Sequence, residues 1–293
     1  MTWSIVARNA DGAFGVAVAS KFFAVGALCP HARSDVGALS TQALVNPLLA
    51  TPALDGMARK EAPDELLSTL LAADAGREQR QFHMIDTAGR IAAHTGRGCI
   101  DWCGHVAGDG FSVAGNMFVG PQVLEATAHA YAMHVDLPFG QRLIMALAAG
   151  EAAGGDKCGK QAAALLIYAG QDYPTLDLRV DDHVTPIVEL KRLYDVSLER
   201  FQPFVQCIAS RDRPAGLIER DKIEAYIATY TAQRPTTSGW MGGCARLAGY
   251  VGSQQGVRRC ADAAPYWQRG AVKKRTPPYD FPGDLKTADN LRR

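Results

Sequence analysis

Thr2 has the chemistry of a nucleophile that carries its own base. Aminopeptidases that remove an initiator methionine require a small second residue, and threonine qualifies. Without Met1, Thr2 would present a hydroxyl and a free α-amino group, whose unperturbed pKa of about 7.7–8.0 suits proton transfer near neutral pH. This pairing of a threonine with the amino terminus serves acyl transfer. Many proteins carry a small second residue for processing alone, so the position by itself does not decide the role.

Four more residues are candidates for the same catalytic site, and each has a structural alternative. Ser20 and Lys21 end a predicted strand, where a lysine could lower the pKa of the amine or simply be solvated. Asn116 follows Gly115, and its amide could donate to an oxyanion or supply a left-handed turn. Asp156, after two glycines, could orient the amine or bind substrate, or belong to a charged turn behind a helix C-cap.

A second polar group, Thr41, Gln42 and Asn46, closes the third predicted strand and begins its loop. Glutamine and asparagine side chains pair a donor with an acceptor, which suits the recognition of an amide substrate. Asn46-Pro47 is equally an ordinary turn signal. The sequence therefore offers these three residues as substrate-binding candidates.

The elements that must position these residues are strands in consecutive pairs. Turn chemistry at 9–12 and at 87–89 predicts two hairpins. The predicted strands are 3–8, 13–20, 36–43, 81–86, 90–94, 111–117, 161–168 and 176–180. The predicted helical stretches are 54–71, with a helix start inside it at 62–65, and 122–134, 140–149 and 186–198. This order predicts the α+β class, with sheets between helices, and does not fit a doubly wound βαβ alternation.

Composition excludes several classes of partner. The net charge is +1, so no whole-chain field favours nucleic acid or a membrane surface. No apolar run approaches the ~20 residues that span a bilayer, and the start does not resemble a secretory signal. We therefore expect a cytoplasmic protein without nucleic-acid or membrane partners, whose seven cysteines are mostly reduced. Homo-oligomers are common among soluble enzymes, so we also expect a homo-oligomer.

Two other site chemistries have weaker signals. His94, Cys99, Cys103 and His105 are residue types that bind zinc, but their spacing matches no standard pattern. We therefore expect no metal and no cofactor. Cys29 could serve a thiol hydrolase, although no recognisable Cys/His signature surrounds it.

The composition changes in residues 231–293, which carry eleven Lys/Arg against four Asp/Glu and show no periodicity. Trp240 and Trp267 lie in this stretch, which pure disorder would not favour. Three interpretations stay open: an ordered extension, a mostly disordered basic tail, or a terminus altered by a reading-frame change. We divide the chain into a domain at 1–200, a helical extension at 201–230 and a basic, irregular C-terminal tail at 231–293.

Seven blocks of the sequence resemble an uncharacterised family of Ntn-hydrolase-like proteins, the domain of unknown function 1028. The blocks are 2–8, 15–26, 41–47, 94–96, 110–117, 150–157 and 177–183, and together they span most of residues 2–200. A threonine that opens a strand, followed by a glycine-containing turn and a small-residue strand ending in Ser20-Lys21, also resembles the start of proteasome β-subunits.

The resemblance implies a four-layer αββα sandwich and an N-terminal-nucleophile hydrolase that acts on a small amide, ureido or cyclic-amide substrate. Thr2 would be the nucleophile, and Gly115-Asn116 or a backbone N–H would bind the oxyanion. Ser20, Lys21 and Asp156 would tune the amine. Membership in such a fold does not prove catalysis, so a non-catalytic binding or scaffold protein on the same fold is the alternative.

Overall fold

The computed structural model describes residues 2–155 and 159–233, together with the backbone of Gln268–Arg269. Asp156 and nearly all of the predicted basic tail lie outside the described residues. The strands in the described part are β1 (Thr2–Arg8), β2 (Phe14–Ser20), β3 (Pro30–Arg33), β4 (Gly37–Ala43), β5 (Arg80–Asp86), β6 (Ile91–Thr95), β7 (Trp102–Gly108), β8 (Phe111–Phe118), β9 (Ala162–Tyr168), β10 (Leu176–Val180) and β11 (Gln268–Arg269). The helices are α1 (Ala50–Ala58), α2 (Pro63–Ala73), α3 (Gln122–Met133), α4 (Phe139–Ala152), α5 (Pro186–Ser197), α6 (Phe201–Val205) and α7 (Arg220–Ala232).

The strands form two antiparallel sheets, as expected for the predicted α+β class. The larger sheet has the order β10-β9-β2-β1-β8-β7-β11, and the smaller sheet has the order β3-β4-β5-β6. β1 lies at the centre of the larger sheet, where it pairs with β2 on one side and β8 on the other. The first residue of the chain's first strand is therefore flanked by the ends of two other strands.

Helices cover one face of each sheet. On the larger sheet, Trp3 and Ile5 of β1 pack in one cluster with residues of α3, α4 and α5, among them Leu124 and Leu143. On the smaller sheet, Leu39, Phe82 and Met84 pack with residues of α1 and α2. Because side chains alternate across a strand, the residues between these point the other way, toward the second sheet.

The two remaining sheet faces pack against each other. Val6, Phe14 and Val16 of the larger sheet form one apolar cluster with Ala38 and Ile85 of the smaller sheet. This cluster fills only part of the layer between the sheets. Toward the start of β1 the inward positions of the same strands carry polar side chains instead, and these build the site described below.

The stretch predicted to be helical over 54–71 consists of two helices, and the helix start predicted at 62–65 is the N-terminus of α2. α1 ends at Ala58, Lys60 takes a left-handed backbone conformation with φ of 67°, and Pro63 opens α2. A left-handed residue and a proline both stop an α-helix, and Asp64 and Glu65 then favour the new helix N-terminus. Among the described residues, no helix combines the length and the apolar composition needed to cross a membrane.

Candidate active site

Thr2 lies between two of the residues that the sequence associated with it. In the strand register it pairs with Ser20 at the end of β2 and with Asn116 near the end of β8. Thr2 Oγ1 is 2.9 Å from Ser20 Oγ, and either oxygen could be the donor. Thr2 is 7% exposed, whereas Ser20 is fully buried. Three of the five predicted catalytic residues therefore share one end of the larger sheet.

A buried chain of hydrogen bonds connects β1 with Asn116 through the second sheet. Ser4 Oγ donates to Gln42 Oε1 at 2.7 Å, and Gln42 Nε2 donates to Gln81 Oε1 at 2.7 Å. Asn116 Nδ2 donates to the same Gln81 oxygen at 3.1 Å. All of these side chains are buried, so each polar group depends on its protein partners rather than on bulk water.

From Ser4 the hydrogen-bond network continues to His83. Its Nε2 lies 2.8 Å from Ser4 Oγ, and its Nδ1 lies 3.0 Å from Ser112 Oγ. Burial, together with the charge of nearby His105, lowers the pKa of His83 from 6.5 to about 3. His83 is therefore neutral near physiological pH, with one ring nitrogen donating and the other accepting.

Asn116 stays within β8, and the left-handed conformation that its turn interpretation required is found at Met117, with φ of 60°. Of the two remaining catalytic candidates, the structure describes Lys21 alone. Lys21 follows β2 and is exposed. Asp156 lies outside the described residues.

The three substrate-binding candidates are all engaged by the protein itself. Gln42 is held between Ser4 and Gln81 as described above. Thr41 Oγ1 accepts from the backbone nitrogen of Asn46 at 3.2 Å, which closes the loop after β4. Asn46 Oδ1 caps the following turn at Leu48 N, 3.2 Å away. Thr41 and Asn46 thus shape the loop beside β4 through their own hydrogen bonds.

The geometry does not favour the thiol alternative. Cys29 packs among Val18, Val25 and two alanines, and burial raises the pKa of its thiol from 9.0 to about 12. A protonated thiol is a poor nucleophile, so Cys29 is a small core residue near neutral pH.

The four zinc-type residues have other partners. His94 Nε2 lies 2.8 Å from Arg77 O, and His105 Nδ1 lies 3.0 Å from Thr95 Oγ1. Cys99 Sγ lies 3.4 Å from Arg80 O, and Cys103 Sγ lies 3.9 Å from Cys99 O. Within residues 2–155 and 159–233, no group of three or more His, Cys, Asp or Glu side chains could hold a metal ion.

Sequence reasoning missed Ser4, Gln81, His83 and Ser112. A signal was present, because each is a polar residue that lies directly beside apolar residues in a predicted strand. In β5, for instance, Gln81 and His83 alternate with the buried Phe82 and Met84. A polar residue at every second position of a buried strand indicates a polar layer between two sheets.

The fold and the site define an α+β protein with a candidate hydroxyl nucleophile at the start of its central strand. The model of the family of unknown function DUF1028 matches residues 2–190, and the chain belongs to this family. The crystal structure of a DUF1028 protein from Silicibacter pomeroyi matches with a TM-score of 0.69 at 27% identity, covering 74% of this chain and 99% of that chain. Anbu, an ancestral β-subunit from Yersinia bercovieri, matches with a TM-score of 0.32 at 11% identity, covering 67% of this chain and 94% of that chain. No curated protein sequence matches.

Proposed function

We propose that this protein is an N-terminal-nucleophile hydrolase on a four-layer αββα sandwich, and that it cleaves a small amide or amide-like bond. The observation that carries the proposal is the place of Thr2. It opens the central strand between Ser20 and Asn116, and its hydroxyl oxygen lies 2.9 Å from that of Ser20. A hydroxyl, a neighbouring hydroxyl and a side-chain amide thus meet at one strand end.

The reaction begins once Met1 has been removed. The Thr2 amine takes the proton from Oγ1 as this oxygen attacks the substrate carbonyl carbon, and a tetrahedral intermediate forms. The C–N bond then breaks, and the leaving amine receives that proton, which leaves an acyl ester on Thr2. Water attacks the ester through the same base, releases the carboxylic acid and restores the hydroxyl.

The neighbouring residues have supporting roles in this proposal. Ser20 orients the Thr2 hydroxyl, and the amide of Asn116 stabilises the oxyanion, a contribution that typically amounts to about 10²–10³ in rate. Lys21 and Asp156 tune the amine. We assign Gln42 to the support of this arrangement rather than to substrate contact, because it is 1% exposed and bonded at both ends of its amide.

The first test is the N-terminal sequence and intact mass of the purified, untagged protein, which should begin at Thr2. The protein is then treated with a small β-lactone, whose carbonyl accepts a nucleophile as the ring opens. We expect one acyl adduct, located on Thr2 by peptide mapping. Retention of Met1 in the whole preparation would overturn the mechanism, because the free amine would be missing.

Matched variants distinguish acylation of Thr2 from acylation of other residues. Thr2→Ala keeps a small second residue, so Met1 is still removed, and the adduct should disappear. Thr2→Ser keeps the hydroxyl and should still react, while Ser20→Ala should react more slowly. Unchanged acylation of Thr2→Ala would mean that another group carries the adduct, and it would overturn Thr2 as the nucleophile.

A further inference from the structure

We infer that Gln81 is a positioning residue for the proposed reaction, because it fixes the amide of Asn116 beside Thr2. The inference rests on the proposed function. Gln81 belongs to β5 in the smaller sheet, Asn116 to β8 in the larger sheet, and their side chains meet in the layer between the two. Gln81 is fully buried, so it acts through Asn116 rather than by touching a substrate.

Two backbone carbonyls fix the orientation of the Gln81 amide. Its Nε2 lies 2.9 Å from Gly104 O and 2.9 Å from Gly115 O. A carbonyl oxygen can only accept, so the side-chain nitrogen must face both of them. The hydroxyl oxygen of Thr95, 3.0 Å away, is a further acceptor for the same nitrogen. Gln81 Oε1 is thereby turned toward Asn116.

This orientation decides which atom Asn116 presents. Since Gln81 Oε1 can only accept, Asn116 must direct its nitrogen at it, as the 3.1 Å contact requires. One hydrogen of the Asn116 amide is then held by Gln81, and the other is available to an oxyanion at Thr2. A flipped Asn116 would set two oxygens against each other and would turn its donors away from Gln81.

The same assignment of donors and acceptors extends to the other end of the hydrogen-bond network and gives every bond in it a fixed direction. Gln42 must donate to Gln81, so its Oε1 accepts from Ser4 at 2.7 Å. Ser4 donates its only hydroxyl hydrogen to Gln42, so its oxygen must accept a hydrogen bond from His83 Nε2 at 2.8 Å. His83 Nδ1 accepts in turn from Ser112. No member can reverse without breaking a neighbour's bond, so Asn116 is held by a cooperative network.

Packing of the sheets does not require this network. The other part of the same layer is filled by apolar side chains, including Val6, Val16 and Ile85. Replacing both partners of a buried hydrogen bond by apolar groups of similar shape can be nearly neutral for stability. The polar part lies at the end of β1 where Thr2 is found, which indicates a task at Thr2 rather than in holding the sheets together.

The first arm of the test measures Asn116 directly. Gln81→Met keeps the length and volume of the side chain and removes its donor and acceptor. In full-length protein with ¹⁵N-labelled asparagine, the side-chain amide resonances of Asn116 should move in Gln81→Met. They should stay in place in Phe82→Leu, a substitution at the next residue of β5, which faces α1 and α2. Unmoved Asn116 resonances in Gln81→Met would overturn the inference whatever the activity.

The second arm measures acylation of Thr2 by the β-lactone over a range of concentrations. Gln81→Met should lower the limiting rate about tenfold or more and leave the half-saturating concentration unchanged, as expected for a lost transition-state contact. In an Asn116→Ala background it should add little, because both substitutions remove one interaction. Fully additive effects, or a rate equal to that of Phe82→Leu, would overturn the positioning role while leaving the proposed function intact. A wild-type Thr2 that is never acylated would instead overturn the proposed function, and the catalytic part of this inference with it.

Discussion

At the scale of single residues, the hydrogen bonds of the polar layer require His83 to be neutral. Its pKa in the folded protein is about 3, against 6.5 in the unfolded chain, so below pH 6.5 the unfolded state binds more protons. The free energy of unfolding therefore falls as the pH drops from 6.5 toward 3, and this group makes no difference above that window. Protonation would also stop Nδ1 from accepting the bond from Ser112.

We expect the charge balance of His83 alone to remove about 2 kcal/mol of stability between pH 7 and pH 5. His83→Gln, which cannot ionise, should show a correspondingly weaker pH dependence when both proteins are unfolded in urea at the two pH values. His31 and His105, whose pKa values burial also lowers, contribute in the same direction to both proteins. Equal pH dependence of the two proteins would show that His83 is not held neutral.

The sequence led to Thr2, Ser20 and Asn116 because each has a local signal, namely a processing rule, a strand end or a glycine-asparagine pair. Gln81 has only the alternation of polar and apolar residues along β5, which indicates a polar layer but does not identify a partner. Its partner Asn116 is 35 residues away, and their contact depends on two sheets lying face to face. Its orientation depends in addition on the carbonyls of Gly104 and Gly115, and β7, which carries Gly104, was not predicted as a strand. The candidates at the strand ends could thus be proposed from local sequence, whereas the cross-sheet contact of Gln81 with Asn116 could not.

At the scale of elements, prediction succeeded where hydrophobic periodicity was strong. The strand of 111–117 was confirmed as β8 and the helix of 186–198 as α5, with small shifts at their ends. Among the described residues, the missed strands were β3, of four residues, β7, whose pairing with β8 is irregular between Trp102 and Gly104, and the two-residue β11. Short strands and irregular pairings carry little alternation, so the sequence pattern gave no basis for predicting them.

The contact between β2 and α4 offers a test of element packing. A Cβ atom at Gly15 would lie 2.6 Å from Leu143 Cδ1 and 2.8 Å from Phe139 Cε1. We expect Gly15→Ala to lower the free energy of unfolding by about 1–3 kcal/mol, because the helix must move away from the sheet. Gly15 pairs with Ala7 at the far end of β1, so acylation of Thr2 in the folded protein should be unchanged.

A double-mutant cycle checks the cause of this effect. Leu143→Ala creates space against β2, so it should cost less stability in the Gly15→Ala background than in the wild type. Both effects can be read from urea denaturation at a single pH. Additive costs would mean that the new methyl group and Leu143 do not compete for the same space.

At the scale of the whole molecule, the comparisons leave part of the chain unmatched. The family model stops at residue 190, and the S. pomeroyi structure is matched over 99% of its own chain while covering 74% of this one. The division into a domain at 1–200, an extension at 201–230 and a basic tail at 231–293 stays a prediction, as does the homo-oligomer. Light scattering on the full-length chain would give the molar mass and decide the second point.

Two truncations test the division of the chain. A chain that ends after Gln233 keeps the seven described helices, and among the described strand pairings it loses that of β11 with β7. We expect its Tm to lie within about 2–4 °C of the full-length value, the shift that 1 kcal/mol produces in a domain of this size, and its Thr2 to be acylated at the same rate.

A chain that ends after Thr185 lacks α5, whose Ile187, Leu190 and Tyr194 belong to the main core cluster. That second chain should fail to unfold cooperatively on heating, because it leaves apolar core surface uncovered. If instead the chain ending after Gln233 behaved like the one ending after Thr185, the last 60 residues would be part of the folded domain, and the boundary at 231 would be wrong.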